Sequence, residues 1–312
     1  MTNTPSVRPI LVTGAHRTGT SWVGKMLAAA PETAYLSEPL NVLHRPGVFR
    51  APVKHWYTYI TAENEAAYLP AFRELLDFDY HLWAELRSIR SRRDFLRMLR
   101  DFGIFYLGSM HGKRALLKDP FAVFSAPWFA ERLDCRVVIT VRHPAGFASS
   151  LRRLGWSFDF RDLLDQPLLM RAHLERDRAD MESMPRDDTL GQAALLWRMI
   201  YRVVAELSER HPDFIVVRHE DLSRDPSGGY RQLYQKLALE FTPAVERTIL
   251  QASSSENPSE AAKRQVHSVK LDSRAAAENW KKRLYAQELA RIRAITVGVS
   301  ERYYAEAEWQ TA

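Results

Sequence analysis

The sequence predicts an α/β fold: a P-loop-like three-layer sandwich with a central parallel sheet, helices on both faces and lid-like helical insertions. Three observations carry this. Short apolar runs such as Ile10-Leu-Val and Val137-Val-Ile read as strands buried on both faces. These runs alternate with longer stretches of helical spacing, the pattern of a parallel sheet covered on both sides. The first run stops at a glycine loop that opens a helix, as a βαβ unit begins.

The elements follow in order. Pro9–Thr13 is a buried strand ending at Gly14, and Ser21–Ala30 carries apolar residues at helical spacing up to Pro31. Thr33–Leu36 reads as a second short strand. Arg92–Phe105 is a helical patch in an aromatic-rich, irregular region. Arg114–Lys118 is the next strand, ended by Asp119-Pro120, with a helix over Ser125–Leu133. Cys135–Val141 is the clearest buried strand; it breaks at Arg142-His143-Pro144, and a helix runs to about Leu154. Thr189–His211 is a long helix and Phe214–Val217 a further strand. Helices are expected at 228–239, 243–250 and 286–305, and a loop at Ser253–Ser259. We read one domain over residues 1–312, with insertions at about 45–112 and 155–186.

Hydrophobic residues make up 46% and charged residues 26%, which suits a globular chain with an adequate core. The formal charge of +6 favours anionic ligands only weakly, because the basic residues are scattered. Zinc-finger spacing and an RNA-binding aromatic signature are both missing, so nucleic acid is not favoured. The single cysteine, Cys135, excludes an intramolecular disulfide and a cysteine zinc site. Residues 1–9 lack an apolar leader segment, and no run approaches the ~18 apolar residues of a spanning helix. A cytoplasmic protein is expected, and a homodimer is left open.

The chemistry concentrates in Val12-Thr-Gly-Ala-His-Arg-Thr-Gly-Thr-Ser-Trp22. Gly14 and Gly19 stand five apart, as in a nucleotide P-loop. Such a loop needs a lysine at position 20, where this chain has Thr20; Arg17 sits inside the loop instead. Backbone N–H groups here and in the first helical turn form an anion site. A plain strand-to-helix turn is the alternative, but Arg17, Thr18, Thr20 and Ser21 crowded after a buried strand are costly unless they meet a ligand. Without the lysine, transfer of a γ-phosphoryl group is disfavoured. A donor with one 5′-phosphate and one sulfonate could be held by Arg17 and backbone donors, with no metal.

The loop resembles the 5′-phosphosulfate loop of sulfotransferases that use 3′-phosphoadenosine-5′-phosphosulfate (PAPS). His16 stands where that family commonly has proline, and Arg17 at its basic position. Val137–Leu151 is similar to the family's 3′-phosphate segment: an arginine ending a strand, a proline two residues on, and a serine eight residues on. These are Arg142, Pro144 and Ser150. Val217-Arg-His-Glu-Asp-Leu222 looks like a further family segment with His219 in place of tyrosine, although Glu-Asp there equally suits a helix N-terminus. Asn279-Trp-Lys-Lys-Arg-Leu284 resembles the segment that closes over the nucleotide, which nominates Trp280. Lys263, Arg264, Lys270 and Arg274 are candidate 3′-phosphate contacts. Trp22 stands where an aromatic often stacks on adenine, or it belongs to the buried face of the first helix.

The resemblance implies transfer of a sulfonyl group from PAPS to an acceptor hydroxyl, with PAP released. Arg17 would stabilise the leaving side. Leu117-Lys-Asp-Pro120 resembles a segment of tyrosylprotein and many bacterial sulfotransferases, which would aim Lys118 at the sulfonate. Leu36-Ser-Glu-Pro39 stands where the tyrosylprotein enzymes carry the acidic segment that supplies their base, so the resemblance makes Glu38 the favoured base. His111 is the rival, with His44 and His55 behind it. The acceptor is a small molecule or glycan, with a carbohydrate or glycolipid favoured. Its walls would come from the aromatic-rich stretch 49–83 and from Trp156, Phe158, Phe160 and Arg161. The competing readings are a P-loop small-molecule kinase, with Asp119 for its metal, and a non-catalytic nucleotide-binding protein.

Overall fold

The computed structural model describes residues 8–261 and 269–310. Five strands form one parallel sheet: β1 (Ile10–Gly14), β2 (Thr33–Ser37), β3 (Arg114–Lys118), β4 (Arg136–Val141) and β5 (Ile215–Arg218), in the order β2-β3-β1-β4-β5. Side chains alternate across it with period two. Leu11, Leu117, Val137 and Ile139 enter one core, and Ile10, Val12, Leu116 and Val138 enter the other. The three-layer α/β sandwich is therefore as expected.

The helices are α1 (Thr20–Leu27), α2 (Leu69–Leu76), α3 (Leu82–Ser88), α4 (Arg92–Met110), α5 (Ala126–Leu133) and α6 (Pro144–Leu154), then the short α7 (Arg161–Leu164), α8 (Pro167–Leu169) and α9 (Arg178–Ser183). After them come α10 (Thr189–Arg210), α11 (His219–Arg224), α12 (Pro226–Leu237), α13 (Pro243–Ser253), α14 (Ser273–Glu278) and α15 (Ala286–Thr296). The helix expected at 286–305 stops at Thr296, because Gly298 takes φ 80° and a 3₁₀ turn at Ser300–Arg302 follows. Glu220 and Asp221 sit in the first turn of α11, where carboxylates favour the helix dipole.

Two features place the site. First, α1 and α12 pack on one face, through Val23, Met26 and Tyr234, whereas α5, α6 and α10 pack on the other. The connections after β1 and β3 therefore leave on opposite faces, although the two strands are neighbours. A crevice opens at their carboxyl ends, the usual ligand position in such sheets. Second, the aromatic insertion is continuous with the core: Phe49, Tyr57, Phe72 and Phe105 are all buried within it.

Candidate active site

The loop after β1 is shaped by close approach. Gly14 has φ 140° and pairs with Thr140, whose carbonyl oxygen would lie 2.4 Å from any Cβ. Gly19 has φ 94°, and a Cβ there would meet His219 at 2.6 Å. Between them Thr18 turns inward. Its amide donates to the Ala15 carbonyl at 3.3 Å, and its hydroxyl donates to that carbonyl at 2.5 Å and meets the Thr140 hydroxyl at 2.9 Å. Thr18 therefore shapes the loop, with its side chain wholly buried.

Arg17 is a non-glycine residue at φ 67°, in the left-handed region that costs energy without compensation. The compensation is visible. Its carbonyl accepts from Arg142 Nη1 at 3.2 Å, and its Nε donates to Ser150 Oγ at 3.4 Å. Arg142 also donates through Nη2 to Ala276 at 2.9 Å, while its Nε is buried with no partner. Burial and the neighbouring Arg142 and Arg153 bring Arg17 down to about 10. Burial also lowers Arg142. Crowded, dehydrated guanidiniums and one orphaned buried donor fit a polyanion.

Two clefts meet at this loop. One is lined by Arg17, Gly19, Thr20, Ser21, Trp22, Arg142 and His219, with Leu271, Ser273 and Ala276 opposite. The other, about 570 Å³, is lined by His16, Arg17, Thr20, Ser21, Glu38, Asn41 and the rings of Trp56, Phe121, Trp156 and Phe158. Arg17, Thr20 and Ser21 belong to both walls. Trp22 is only 8% exposed and packs against His219 and Tyr230, so it is both part of the core and a wall of the first cleft.

Glu38 also lies in the left-handed region, at φ 53°. Its amide donates to the Lys118 carbonyl at 2.8 Å, which fixes the turn after β2 to the end of β3. Its carboxylate pairs with Lys118 Nζ and accepts from Asn41 at 2.7 Å. Lys118, expected to aim at the sulfonate, is 2% exposed and lines neither cleft; its ammonium is turned to Glu38. Asp119, the metal candidate of the kinase reading, accepts from the amides of Leu40 at 2.6 Å and Phe121 at 2.9 Å. It is wholly buried, and burial raises its carboxyl to about 7. Both its oxygens are spent on the backbone of the turns around it. Among the described residues no cluster of His, Cys, Asp and Glu could hold a metal ion.

The rival histidines lie elsewhere. His111 is exposed at the end of α4, bonded to the Leu107 carbonyl. His44 bonds the Asn41 carbonyl and His55 faces Asp162. The histidine on the second cleft is His16, which sequence reading noted only as a departure from proline. Its Nδ1 lies 2.6 Å from the Tyr57 hydroxyl, and burial lowers it to about 4, so it is neutral at physiological pH. Trp280 stacks on His143 at 4.8 Å and borders a separate hollow lined by α11 and α14. Arg274 is exposed on that hollow, donating to the Arg224 carbonyl at 2.8 Å. Neither lines the clefts at the loop. Lys270 is exposed, and Lys263 and Arg264 lie outside the described residues.

A glycine loop at the crevice of a parallel sheet, shared by a cleft lined with arginines and an aromatic one, suits a group-transfer protein with an anionic donor. The sulfotransferase family model matches residues 9–243, and the chain belongs to that family; it is a PAPS-dependent sulfotransferase. Similar solved structures include the sulfotransferase domain from the Synechococcus olefin synthase, at 16% identity over 96% of each chain with a TM-score of 0.48. Sulfotransferase STF9 from Mycobacterium avium is similar at 16% identity over 97% of this chain and 78% of its own, with a TM-score of 0.47. Mouse sulfotransferase SULT7A1, complexed with PAP, is similar at 12% identity over 97% and 86%, with a TM-score of 0.44. Comparison with curated proteins returned no significant match. Among the described residues no helix is long and apolar enough to cross a membrane.

Proposed function

We propose that the cleft lined by Arg142, Gly19 and Trp22 takes the adenosine 3′-phosphate side of PAPS, and that the aromatic cleft takes a hydroxylated acceptor. The observation that carries this is the wall common to both, built from Arg17, Thr20 and Ser21. A sulfonate at that wall faces donor and acceptor at once, which is what in-line transfer needs. The sulfur–oxygen bond to the 5′-phosphate breaks as the bond to the acceptor oxygen forms, and the acceptor proton goes to the base.

Arg17 and the loop amides stabilise charge growing on the 5′-phosphate. Arg142, with its unpartnered Nε, and Ser150 grip the 3′-phosphate. Glu38 is the base. Lys118 is a positioning residue that holds the Glu38 carboxylate against the second cleft. His16 is the other basic group on that wall. No catalytic role requires a metal. Trp56, Phe121 and Trp156 give flat faces beside Glu38 and Asn41, a combination suited to stacking and hydrogen-bonding a sugar. A carbohydrate or glycolipid hydroxyl is therefore the favoured acceptor. With one cysteine in the chain and no disulfide to maintain, the cytoplasm is its proposed location.

The test is calorimetric titration with PAP and with Mg·ATP, followed by labelled PAPS against a panel of glycan, glycolipid and phenol acceptors. Metal-independent PAP binding at micromolar levels and label transfer to a glycan support the reading. Preferential Mg·ATP binding would sink it, and transfer to phenols alone would replace the acceptor class.

A further inference from the structure

Helix α4 carries a face that the site does not use. Phe95, Leu99, Phe102, Tyr106 and Met110 recur at i, i+4, i+7, i+11 and i+15, which is one stripe of an α-helix. All five are exposed, from 40% for Phe102 to 56% for Tyr106. The helix seals the fold with a different face, through Met98, Phe105 and Gly108. On the adjoining α3, Trp83 is 76% exposed. A second apolar stripe turned to water, with a large aromatic beside it, is a docking surface.

Charge decides what docks. Residues 82–110 hold six arginines, Arg87, Arg90, Arg92, Arg93, Arg97 and Arg100, and all are exposed. The three carboxylates of this stretch are engaged: Glu85 and Asp94 with Arg45, and Asp101 with Arg100. At 3.6 residues per turn, Leu96 and Leu107, 65% and 46% exposed, widen the apolar face, and Arg93, Arg97 and Arg100 form a row along the far edge of that wider face. A second copy of the chain would bring the same arginines and no exposed carboxylate from this stretch. An anionic bilayer accepts both rows. Apolar side chains enter the acyl boundary while guanidiniums reach back to lipid phosphates.

We propose that α4, with Trp83 of α3, docks this protein on an anionic lipid bilayer. The start of α4 is tied to the segment that leaves Glu38. Only three residues separate the end of α4 from β3, so α4 runs back along the sheet and its arginine-rich start lies at the carboxyl edge. There Arg45, on the segment leaving Glu38, bonds Asp94 at 2.8 Å. A lipid-linked acceptor would thus meet Glu38 from the membrane side, a clause that rests on the function proposed above; the docking itself does not.

Sedimentation of the full chain with vesicles tests this, using phosphatidylcholine alone against an equimolar mixture with phosphatidylglycerol. The protein is expected to pellet with the mixed vesicles, not with phosphatidylcholine alone, and to be released by salt. Arg93→Glu with Arg97→Glu should weaken partitioning by about thirtyfold or more, taking each lost arginine as roughly fivefold. Leu99→Ser with Phe102→Ser should weaken it at least about tenfold, with PAP affinity unchanged in both variants as the check on folding. Failure to pellet with mixed vesicles, equal pelleting with both kinds, or indifference to both double variants overturns the proposal. So does a dimer by light scattering that Leu99→Ser with Phe102→Ser dissolves, because the face would then belong to a second copy. Sulfotransfer to a water-soluble acceptor, measured in parallel, separates loss of docking from failure of the functional reading.

Discussion

Arg17 reaches from the loop after β1 to Ser150 on α6, 3.4 Å away, and its own carbonyl takes a hydrogen bond from Arg142 at the end of β4. The two segments that resemble the 5′- and 3′-phosphate sites are therefore one bonded unit. Arg142 spends Nη1 and Nη2 on backbone carbonyls and keeps Nε buried without a partner, and its guanidinium lines the first cleft, where the proposed function sets the 3′-phosphate. Arg142→Ala is expected to weaken PAP binding by about tenfold to 150-fold, the 1.5–3 kcal/mol typical of a hydrogen bond to a charged group. Ser150→Ala should cost about fivefold, or ~1 kcal/mol. Calorimetry on both variants decides; unchanged PAP affinity in Arg142→Ala removes it from the 3′-phosphate.

Glu38 and His16 face one cleft with different chemistry. Glu38→Gln keeps the shape and the Asn41 contact, and should lower kcat about 10²–10⁴-fold, as expected for loss of a general base. PAP affinity should hold. The lowered pKa of His16 keeps its ring neutral above about pH 4, which leaves a lone pair for a proton but a weaker base than an ordinary imidazole. Retention of turnover in Glu38→Gln, together with its loss in His16→Gln, would move the base to His16.

Tyr57 anchors His16 twice, accepting from its backbone amide at 3.3 Å and meeting Nδ1 at 2.6 Å. Tyr57→Phe frees that ring and amide without emptying the core. We expect the acceptor KM to rise about tenfold while PAP affinity stays, because the loss falls on the acceptor side of the loop. A fall in PAP affinity equal to the change in KM would mean that the whole loop had moved.

Gly19 joins conformational freedom to close approach. Alanine there meets both a φ of 94° and a histidine carbon at 2.6 Å. Gly19→Ala should destabilise by about 1–3 kcal/mol and abolish measurable PAP binding. His219→Ala added to it relieves the contact but not the backbone, so binding should return only in part. Full recovery in the double variant would assign the whole effect to the contact.

The sheet was legible because β1, β3, β4 and β5 each centre on a short apolar run between breakers, and β3 and β4 matched to within a residue. The loop was legible because its glycines answer to local geometry. What distance along the chain hides was not. Lys118 reads as a strand-end cation, yet its ammonium meets Glu38, eighty residues away. Trp280 reads as a nucleotide clamp, yet its ring finds His143 at an interplanar angle of 3°. His16 reads as a missing proline until Tyr57, from the insertion, bonds its ring. Each depends on a partner chosen by packing between elements, which spacing alone does not encode.

Asp119 gives the fold a titration of its own. Its carboxylate is wholly buried and held by the Leu40 and Phe121 amides, and burial raises it from 3.8 to about 7. Between those values the folded protein holds a proton that the unfolded chain has lost. Stability from this group is therefore greatest below about pH 4 and declines as pH rises through about 7, on the order of a few kcal/mol in all. Asp119→Asn is neutral throughout, and it sacrifices one of the two acceptors at every pH. That second cost shifts Tm by a constant, whereas the titration changes its slope. The Tm of wild type minus that of Asp119→Asn should fall steadily from about pH 5 to about pH 8. A difference that stays flat over that range would show that Asp119 is ionised in the folded protein and that the two amides outweigh its burial.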